Sequence, residues 1–318
     1  MRHFLDFEKP IAELEAKIEE LRRMTDPGAL NIAEEVALLS DKAERQLRTV
    51  YGKLTPWQKT QVARHPERPK SKDVIARLIT DFIPLAGDRA FAEDAAIIAG
   101  PGRFRGEPVM VLAIEKGADT ESRLKHNFGM PRPEGYRKAR RLIDLAGRFG
   151  LPILSFVDTS GAYPGIDAEA RGQAEAIARG IDACLAAPVP FIATIIGEGG
   201  SGGAIAIAAA DAVLMFEHAI YSVISPEGCA AILWEDRAMA AQAAEAMKIT
   251  AQDLKRLGII DRIVPEPLGG ANRNPDAAID ALADVITATL APLKSLTPEA
   301  LKRKRRDKFL AIGQGPIG

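Results

Sequence analysis

Two segments of the chain follow one plan, a buried apolar run that ends in glycines, and this restricts the fold more than any other feature. The apolar run at residues 151–157 is followed by Asp158-Thr159-Ser160-Gly161-Ala162-Tyr163-Pro164-Gly165. The run at residues 189–196 is followed by Gly197-Glu198-Gly199-Gly200-Ser201-Gly202-Gly203-Ala204. Each reads as a buried strand, a glycine-bearing turn and a helix. Further strands are expected at residues 95–99, 108–115, 212–216 and 259–264. Helices are expected at 133–149 (stopped by Gly150), 167–186, 202–210, 239–247, 251–257 and from Asn274-Pro275 to about Leu290, with a last one from Thr297-Pro298-Glu299. Elements that alternate in this way specify an α/β fold.

The N-terminal region has a different texture. Ile11, Leu14, Ile18 and Leu21 recur at helical spacing, Asp26-Pro27-Gly28 interrupts them, and Ile32, Val36, Leu39 and Ala43 share a second face. Two helices in a hairpin satisfy that pattern, docked either on the body or on a partner chain. Thr55-Pro56-Trp57-Gln58 reads as a capping box with proline at the first helical position. Ser71 is expected to cap another helix. Between them His65-Pro66-Glu67-Arg68-Pro69 reads as a loop, because each proline pushes its predecessor out of the α region. The expected divisions are residues 1–55 (hairpin extension), 56–295 (main domain) and 296–318 (basic C-terminal helix).

Glycines let the backbone approach a ligand closely. Amides at the start of the following helix lack acceptors and lie at the positive end of its dipole. Together they make a site for an anion, which can be an enolate or tetrahedral oxygen as well as a phosphate. The second loop also matches other patterns. Gly197, Gly199 and Gly202 have dinucleotide-fingerprint spacing, with Glu217 downstream, but the helix between is short for a crossover. Gly199, Ser201 and Gly203 match a nucleophile elbow, but His218 is the only downstream histidine and it lies too near. A phosphate-binding P-loop needs a lysine that is missing here. A simple tight turn explains one glycine better than five in the seven residues from Gly197 to Gly203. Neither loop contains a histidine or cysteine, so a proton acceptor would come from substrate, cofactor or another chain.

Composition removes several classes of function. The 42 basic and 43 acidic residues leave a formal net charge of -1 and aromatics are 5%, so neither nucleic acid nor an anionic membrane is expected as a partner. Cys184 and Cys229 are too few for a four-cysteine zinc site and read as two buried thiols; the four histidines fit no metal-binding spacing. The apolar run at residues 204–210 ends at Asp211, far short of the roughly 20 residues of a membrane span. Residues 1–10 show no signal-peptide-like run, and a cytoplasmic location is expected.

The glycine loops, with other blocks in order along the chain, resemble the carboxyltransferase alpha subunits of bacterial acetyl-CoA carboxylase. Those blocks include Ala63-Arg64-His65-Pro66-Glu67-Arg68-Pro69, Asn127-Phe128-Gly129-Met130-Pro131, Pro133-Glu134-Gly135-Tyr136-Arg137-Lys138-Ala139, Tyr221-Ser222-Val223-Ile224-Ser225-Pro226-Glu227-Gly228 and Pro265-Glu266-Pro267-Leu268-Gly269-Gly270. The resemblance implies a crotonase-like spiral of ββα units with an N-terminal helical extension. It implies transfer of a carboxyl group from carboxybiotin, on the biotin carboxyl carrier protein, to acetyl-CoA, giving malonyl-CoA for fatty-acid synthesis. In that chemistry the biotin ureido group itself accepts the methyl proton, so no side-chain base is called for.

By the same resemblance the amides of Gly202 and Gly203 face biotin, with Gly199 and Gly200 beside them. Gly161, Ala162 and Tyr163 line the cleft, and Lys116 and Gly117 belong to the substrate side. A beta subunit with its own zinc supplies the second amide pair, in an alpha2beta2 assembly that works with biotin carboxylase. Two places depart from the family pattern: Ser160 stands where many relatives have proline, and Ala113-Ile114-Glu115 where relatives often have Gly-His-Gln before Lys116-Gly117. Lys116 reads as a solvated lysine or as one that orients a charged group, and Lys302-Arg303-Lys304-Arg305-Arg306 as a solvated helix face or a contact for nucleic acid, a phosphate-bearing ligand or an acidic partner. Valine at Gly203 is expected to occlude the anion site and leave assembly intact. The alternatives are action on another acyl-CoA, or a non-catalytic scaffold.

Overall fold

The computed structural model describes residues 2–23 and 29–314. Among these, eight strands form one sheet: β1 (Ile79–Thr80), β2 (Ile97–Phe104), β3 (Glu107–Ile114), β4 (Ile153–Thr159), β5 (Phe191–Gly200), β6 (Ala212–Phe216), β7 (Ile220–Ser222) and β8 (Arg262–Val264). Their order is β1-β2-β3-β4-β5-β6-β8, with β7 also on β5. The first three are antiparallel and the rest pair in parallel. All seven residues of β4 and all ten of β5 are buried, as expected for central strands covered on both faces.

The helices are α1 (Lys9–Arg23), α2 (Ala29–Tyr51), α3 (Pro56–Ala63), α4 (Ser71–Leu78), α5 (Thr120–Lys125), α6 (Pro133–Phe149), α7 (Ile166–Ala170), α8 (Gln173–Ala186), α9 (Ser201–Ile205), α10 (Pro226–Trp234), α11 (Ala240–Met247), α12 (Ala251–Arg256), α13 (Pro275–Lys294) and α14 (Pro298–Ala311). Helix α6 has proline in its first turn and Gly150 at its C-cap with φ 66°, and it buries Tyr136, Ala139, Leu142, Ile143 and Ala146. The Thr55 capping box is present: the Gln58 amide donates to Thr55 Oγ1 (3.2 Å) and the Thr55 amide to Gln58 Oε1 (2.9 Å).

Several expectations are corrected. The helix expected over 167–186 is two, α7 and α8, broken at Gly172, whose φ is 81°. Strand β5 runs on to Gly200 because residues 198–200 pair with β7, so Gly197, Gly199 and Gly200 are strand and not loop. Helix α9 ends at Ile205, short of the expected Ala210, and β8 starts at Arg262. Strand β2 continues through Gly100-Pro101-Gly102, paired with β3; an added Cβ at Gly100 would lie 2.0 Å from Ile83 O. Ser71 is not a cap: its hydroxyl donates to Ile114 O (2.7 Å), while Asp73 accepts the Lys70 amide (2.7 Å). Helix α10 was not expected from the sequence.

Helices α1 and α2 pack together, and the base of the pair is docked on the body. Tyr51 donates to Glu8 (3.0 Å), and Arg273 reaches Glu15 (2.5 Å) and Glu8 (3.2 Å). The expected Asp26-Pro27-Gly28 break lies outside the described residues. The basic C-terminal helix is not a uniformly solvated face. Arg305 is fully buried and forks onto Asp211 (2.7 and 3.0 Å), also donating to Cys184 O, Ala187 O and Val189 O. Lys302, Arg303, Lys304 and Arg306 are exposed. Cys184 is buried, but Cys229 is only half-buried.

Candidate active site

The site forms where β4 and β5 end side by side. Thr159 of β4 pairs with Gly199 of β5. Thr159 Oγ1 then accepts the Gly161 amide (2.9 Å) and donates to Gly161 O (2.8 Å), closing the turn on itself. Gly161 has φ 144°, a conformation that favours glycine.

The second loop lies directly against this turn. A Cβ added at Gly200 would lie 2.3 Å from Ser160 O, and one at Gly203 would lie 2.5 Å from the Ala162 nitrogen and 2.7 Å from Gly161 C. These glycines are therefore required by backbone approaching backbone. The one residue of this loop with positive φ is Ser201, at 55°, and it is exposed. Helix α9 starts there, so the first-turn amides, Gly202 and Gly203 among them, have no intrahelical acceptor. Gly202 is half-buried, and a Cβ on it would meet only Ile177 Cγ2 at 3.4 Å and Cδ1 at 3.8 Å.

The structure thus brings together Gly161, Ala162, Gly199, Gly200, Gly202 and Gly203. Valine at Gly203 is not the clean occlusion expected from sequence, because its Cβ points into the facing backbone and would force the two loops apart. Tyr163 continues the first loop: its amide donates to Pro131 O (3.0 Å), its carbonyl accepts from Gln173 Nε2 (2.9 Å), and Arg132 lies 4.8 Å over its ring. Gly117 lies apart from the glycine loops. Its φ is 81°, its amide donates to Glu115 (2.7 Å), and an added Cβ would strike the backbone of α5 at Arg123 (2.4 Å).

Lys116 is not a solvated lysine. Its ammonium lies 2.9 Å from Asp158 and 3.2 Å from Glu198, and its side chain is 18% exposed. Burial alone would push its pKa down, but the two carboxylates more than reverse this and hold it above the usual lysine range. Burial likewise would raise the Asp158 carboxyl, but Lys116, Lys70 and the Glu198 amide hold it below the usual carboxylate range. Arg64 extends the cluster, reaching Glu198 (2.6 Å) and Glu227 of α10 (2.6 Å). Sequence reasoning did not single out Asp158, Glu198 or Arg64 for a role; the signal available was an acid at the end of each glycine-tipped strand. Tyr136 was missed as well. It is fully buried on α6, and its hydroxyl lies 2.9 Å from the Cβ position of Gly203 with no hydrogen-bond partner among the described residues.

Comparison with known proteins agrees with this geometry. The family model described as "Acetyl co-enzyme A carboxylase carboxyltransferase-like" matches residues 4–313. The acetyl-coenzyme A carboxylase carboxyl transferase subunit alpha of Acidiphilium cryptum is 87% identical over 99% of both chains. That of Gluconacetobacter diazotrophicus is 65% identical over 100% of both. Among solved structures, a transcarboxylase 12S subunit superposes with TM-score 0.57 at 20% identity, covering 71% of this chain and 42% of that one. A Pseudomonas malonate decarboxylase hetero-tetramer chain superposes with TM-score 0.56 at 19% identity, covering 70% and 92%. At that identity the likeness bears on fold, and the fold is the crotonase-like α/β type. With a full-length family match and high identity to its members, the chain belongs to the alpha-subunit family of acetyl-CoA carboxylase carboxyltransferases.

Proposed function

We propose that this chain supplies half of a shared active site that transfers a carboxyl group from carboxybiotin to acetyl-CoA, giving malonyl-CoA. The observation that carries the reading is the contact between the two glycine loops, which only residues without a Cβ permit, with the acceptor-free amides of Gly202 and Gly203 beside it. Such a pair of amides fits a ligand oxygen that gains negative charge. Exposed Ser201 and half-buried Gly202 and Gly161 leave the junction open to a ligand from outside.

Biotin, presented on its carrier protein, supplies the carboxyl group and a ureido oxygen that becomes negative when that group leaves. Gly202 and Gly203 would hold that oxygen by donating their amides. Their N–H dipoles are fixed by the fold, so little reorganisation is needed as charge develops. Gly161, Ala162 and Tyr163 would line the cleft and exclude water. The second set of donors, for the thioester oxygen of acetyl-CoA, would come from a zinc-bearing beta subunit in an alpha2beta2 assembly, served by the biotin carboxyl carrier protein and biotin carboxylase. Lys116 is assigned to this site as well. Residues 1–55 would form a helical extension, 56–295 the carboxyltransferase domain and 296–318 the basic C-terminal helix. A cytoplasmic location belongs to the same proposal; no helix among the described residues is long and apolar enough to cross a membrane.

The test is to co-express the chain with the beta subunit encoded in the same genome, purify the complex, and follow biotin-dependent decarboxylation of malonyl-CoA, the reverse reaction. Activity that needs both chains is expected. A stable two-chain complex with no turnover of malonyl-CoA would overturn the assignment of substrate.

A further inference from the structure

Just before the two glycine loops, the backbone ladder between β4 and β5 is interrupted and resumes with a single pair. Val157 pairs with Ile195, but the next pair is Thr159 with Gly199, so the register shifts at this point. One residue on β4, Asp158, faces three on β5, 196–198. Asp158 and Glu198 occupy that gap. Asp158 Oδ1 accepts the Glu198 amide at 2.9 Å, and a Cβ at Gly197 would lie 2.6 Å from the same oxygen.

The Lys116 ammonium enters from the end of β3 and contacts Asp158 Oδ1 (2.9 Å) and Glu198 Oε2 (3.2 Å). Its stem is covered by Gly129, where a Cβ would lie 2.5 Å from Lys116 Cγ. The Glu198 carboxylate is in turn gripped by Arg64 through Nε (3.2 Å) and Nη2 (2.6 Å). Both acid side chains are about 5% exposed, at 4% and 6%. Charges this dry gain more from each other than they would in water, and leaving one unpaired is costly. Glu198 immediately precedes Gly199, and Asp158 precedes Thr159, whose hydroxyl closes the Gly161 turn. The irregular stretch of the ladder is therefore bridged by a salt-bridged pair of acids, next to the single Thr159–Gly199 pair that leads into the loops.

We propose that Lys116 is a positioning residue: by bridging Asp158 and Glu198 across the break in the β4–β5 ladder, it sets the register of the Gly199–Gly203 segment against Thr159–Ala162, and so aims the Gly202 and Gly203 amides. It acts through the loops and does not touch the reacting groups. The inference rests on the carboxyltransferase reading for its kinetic readout, but not for its structural one.

The experiment compares Lys116→Met and Lys116→Arg with the natural chain in the purified two-chain complex. Misplacement of catalytic donors by about an ångström costs on the order of 100-fold, so kcat for Lys116→Met is expected to fall roughly 10–100-fold. KM for the CoA substrate should stay within about twofold, since uniform binding is not removed. Lys116→Arg, which keeps the charge, should recover part of kcat. Hydrogen–deuterium exchange should speed up at residues 159–162 and 199–203 in Lys116→Met, with assembly unchanged. If Lys116→Met misfolds, Asp158→Asn removes one charge and keeps the oxygen that accepts the Glu198 amide; the same readouts apply.

A raised KM with kcat intact would make Lys116 a substrate ligand and overturn the proposal. So would natural kcat together with unchanged exchange. Should the natural complex fail to turn over malonyl-CoA, the carboxyltransferase reading fails, and the exchange comparison alone then decides the positioning role.

Discussion

Gly203→Ala, set against Gly202→Ala, separates the contact between the loops from mere glycine content. At position 203 the new Cβ would lie 2.5 Å from the Ala162 nitrogen, 2.7 Å from Gly161 C and 2.9 Å from the Tyr136 hydroxyl. Comfortable carbon contacts begin near 3.5 Å, and two of the three obstacles are backbone, so α9 and the Gly161 turn must part by about 1 Å. An amide moved that far from an oxyanion loses most of its hydrogen bond. Loss of one such donor costs roughly 100–1,000-fold in kcat. The overpacking itself costs about 1–3 kcal/mol, and for a chain of this size Tm falls by about 2 °C for each kcal/mol.

At position 202 the new Cβ meets only the Ile177 side chain, at 3.4 and 3.8 Å, which is ordinary contact. Gly202→Ala should therefore lose less than about 1 kcal/mol of stability and less than about threefold in rate, a barrier change under 1 kcal/mol. The assay is biotin-dependent malonyl-CoA decarboxylation by each purified complex, with thermal melts in parallel. Gly203→Ala at natural kcat in an intact complex would refute the reasoning, and so would Gly202→Ala failing as badly as Gly203→Ala with its Tm unchanged.

Two predictions concern buried charge. Arg305→Met would strand the Asp211 carboxylate, which is 0% exposed, and remove the guanidinium donor from four backbone carbonyls, those of Cys184, Leu185, Ala187 and Val189. Breaking such a pair costs about 3–5 kcal/mol, seen as a lower Tm, whereas Lys304→Ala on the exposed side should stay within about 0.5 kcal/mol. A melt of Arg305→Met equal to that of the natural chain would contradict this. Glu266 gives a pH dependence. Burial would raise its carboxyl, but Arg68, held at 2.6 Å, and His218 bring it from 4.5 down to about 2. The folded-state value is depressed, so its stabilisation is complete above the unfolded value of 4.5 and is lost as pH falls towards about 2. Urea midpoints should fall with acidification across that window, and less steeply in Glu266→Gln; identical slopes would contradict the assignment.

What the sequence disclosed was mostly local. Pro133 and Gly150 bracket α6, and Thr55 with Gln58 marks the start of α3, because caps and breakers act within a few residues. The α/β class and the two glycine loops were legible for the same reason. Long-range features were not. The extension of β5 through Gly200 depends on β7, which lies beyond α9 in sequence. Lys116 and Arg305 looked like solvent-facing cations because their partners lie 82 and 94 residues away, at Glu198 and Asp211. The break at Gly172 was missed because the apolar periodicity of α8 runs up to it without a proline. The expected effect of a side chain at Gly203 is corrected: the missing Cβ makes room for the facing backbone at Gly161 and Ala162, which no spacing pattern reveals.

The most direct test of the amide assignment is a structure of the two-chain complex with biotin bound. The ureido oxygen is expected within about 2.7–3.1 Å of the Gly202 and Gly203 nitrogens, as donors to an oxyanion require, with Gly161 and Ala162 lining the same cleft. Biotin bound with its ureido oxygen away from both amides, in a complex that turns over, would contradict the role given to this loop.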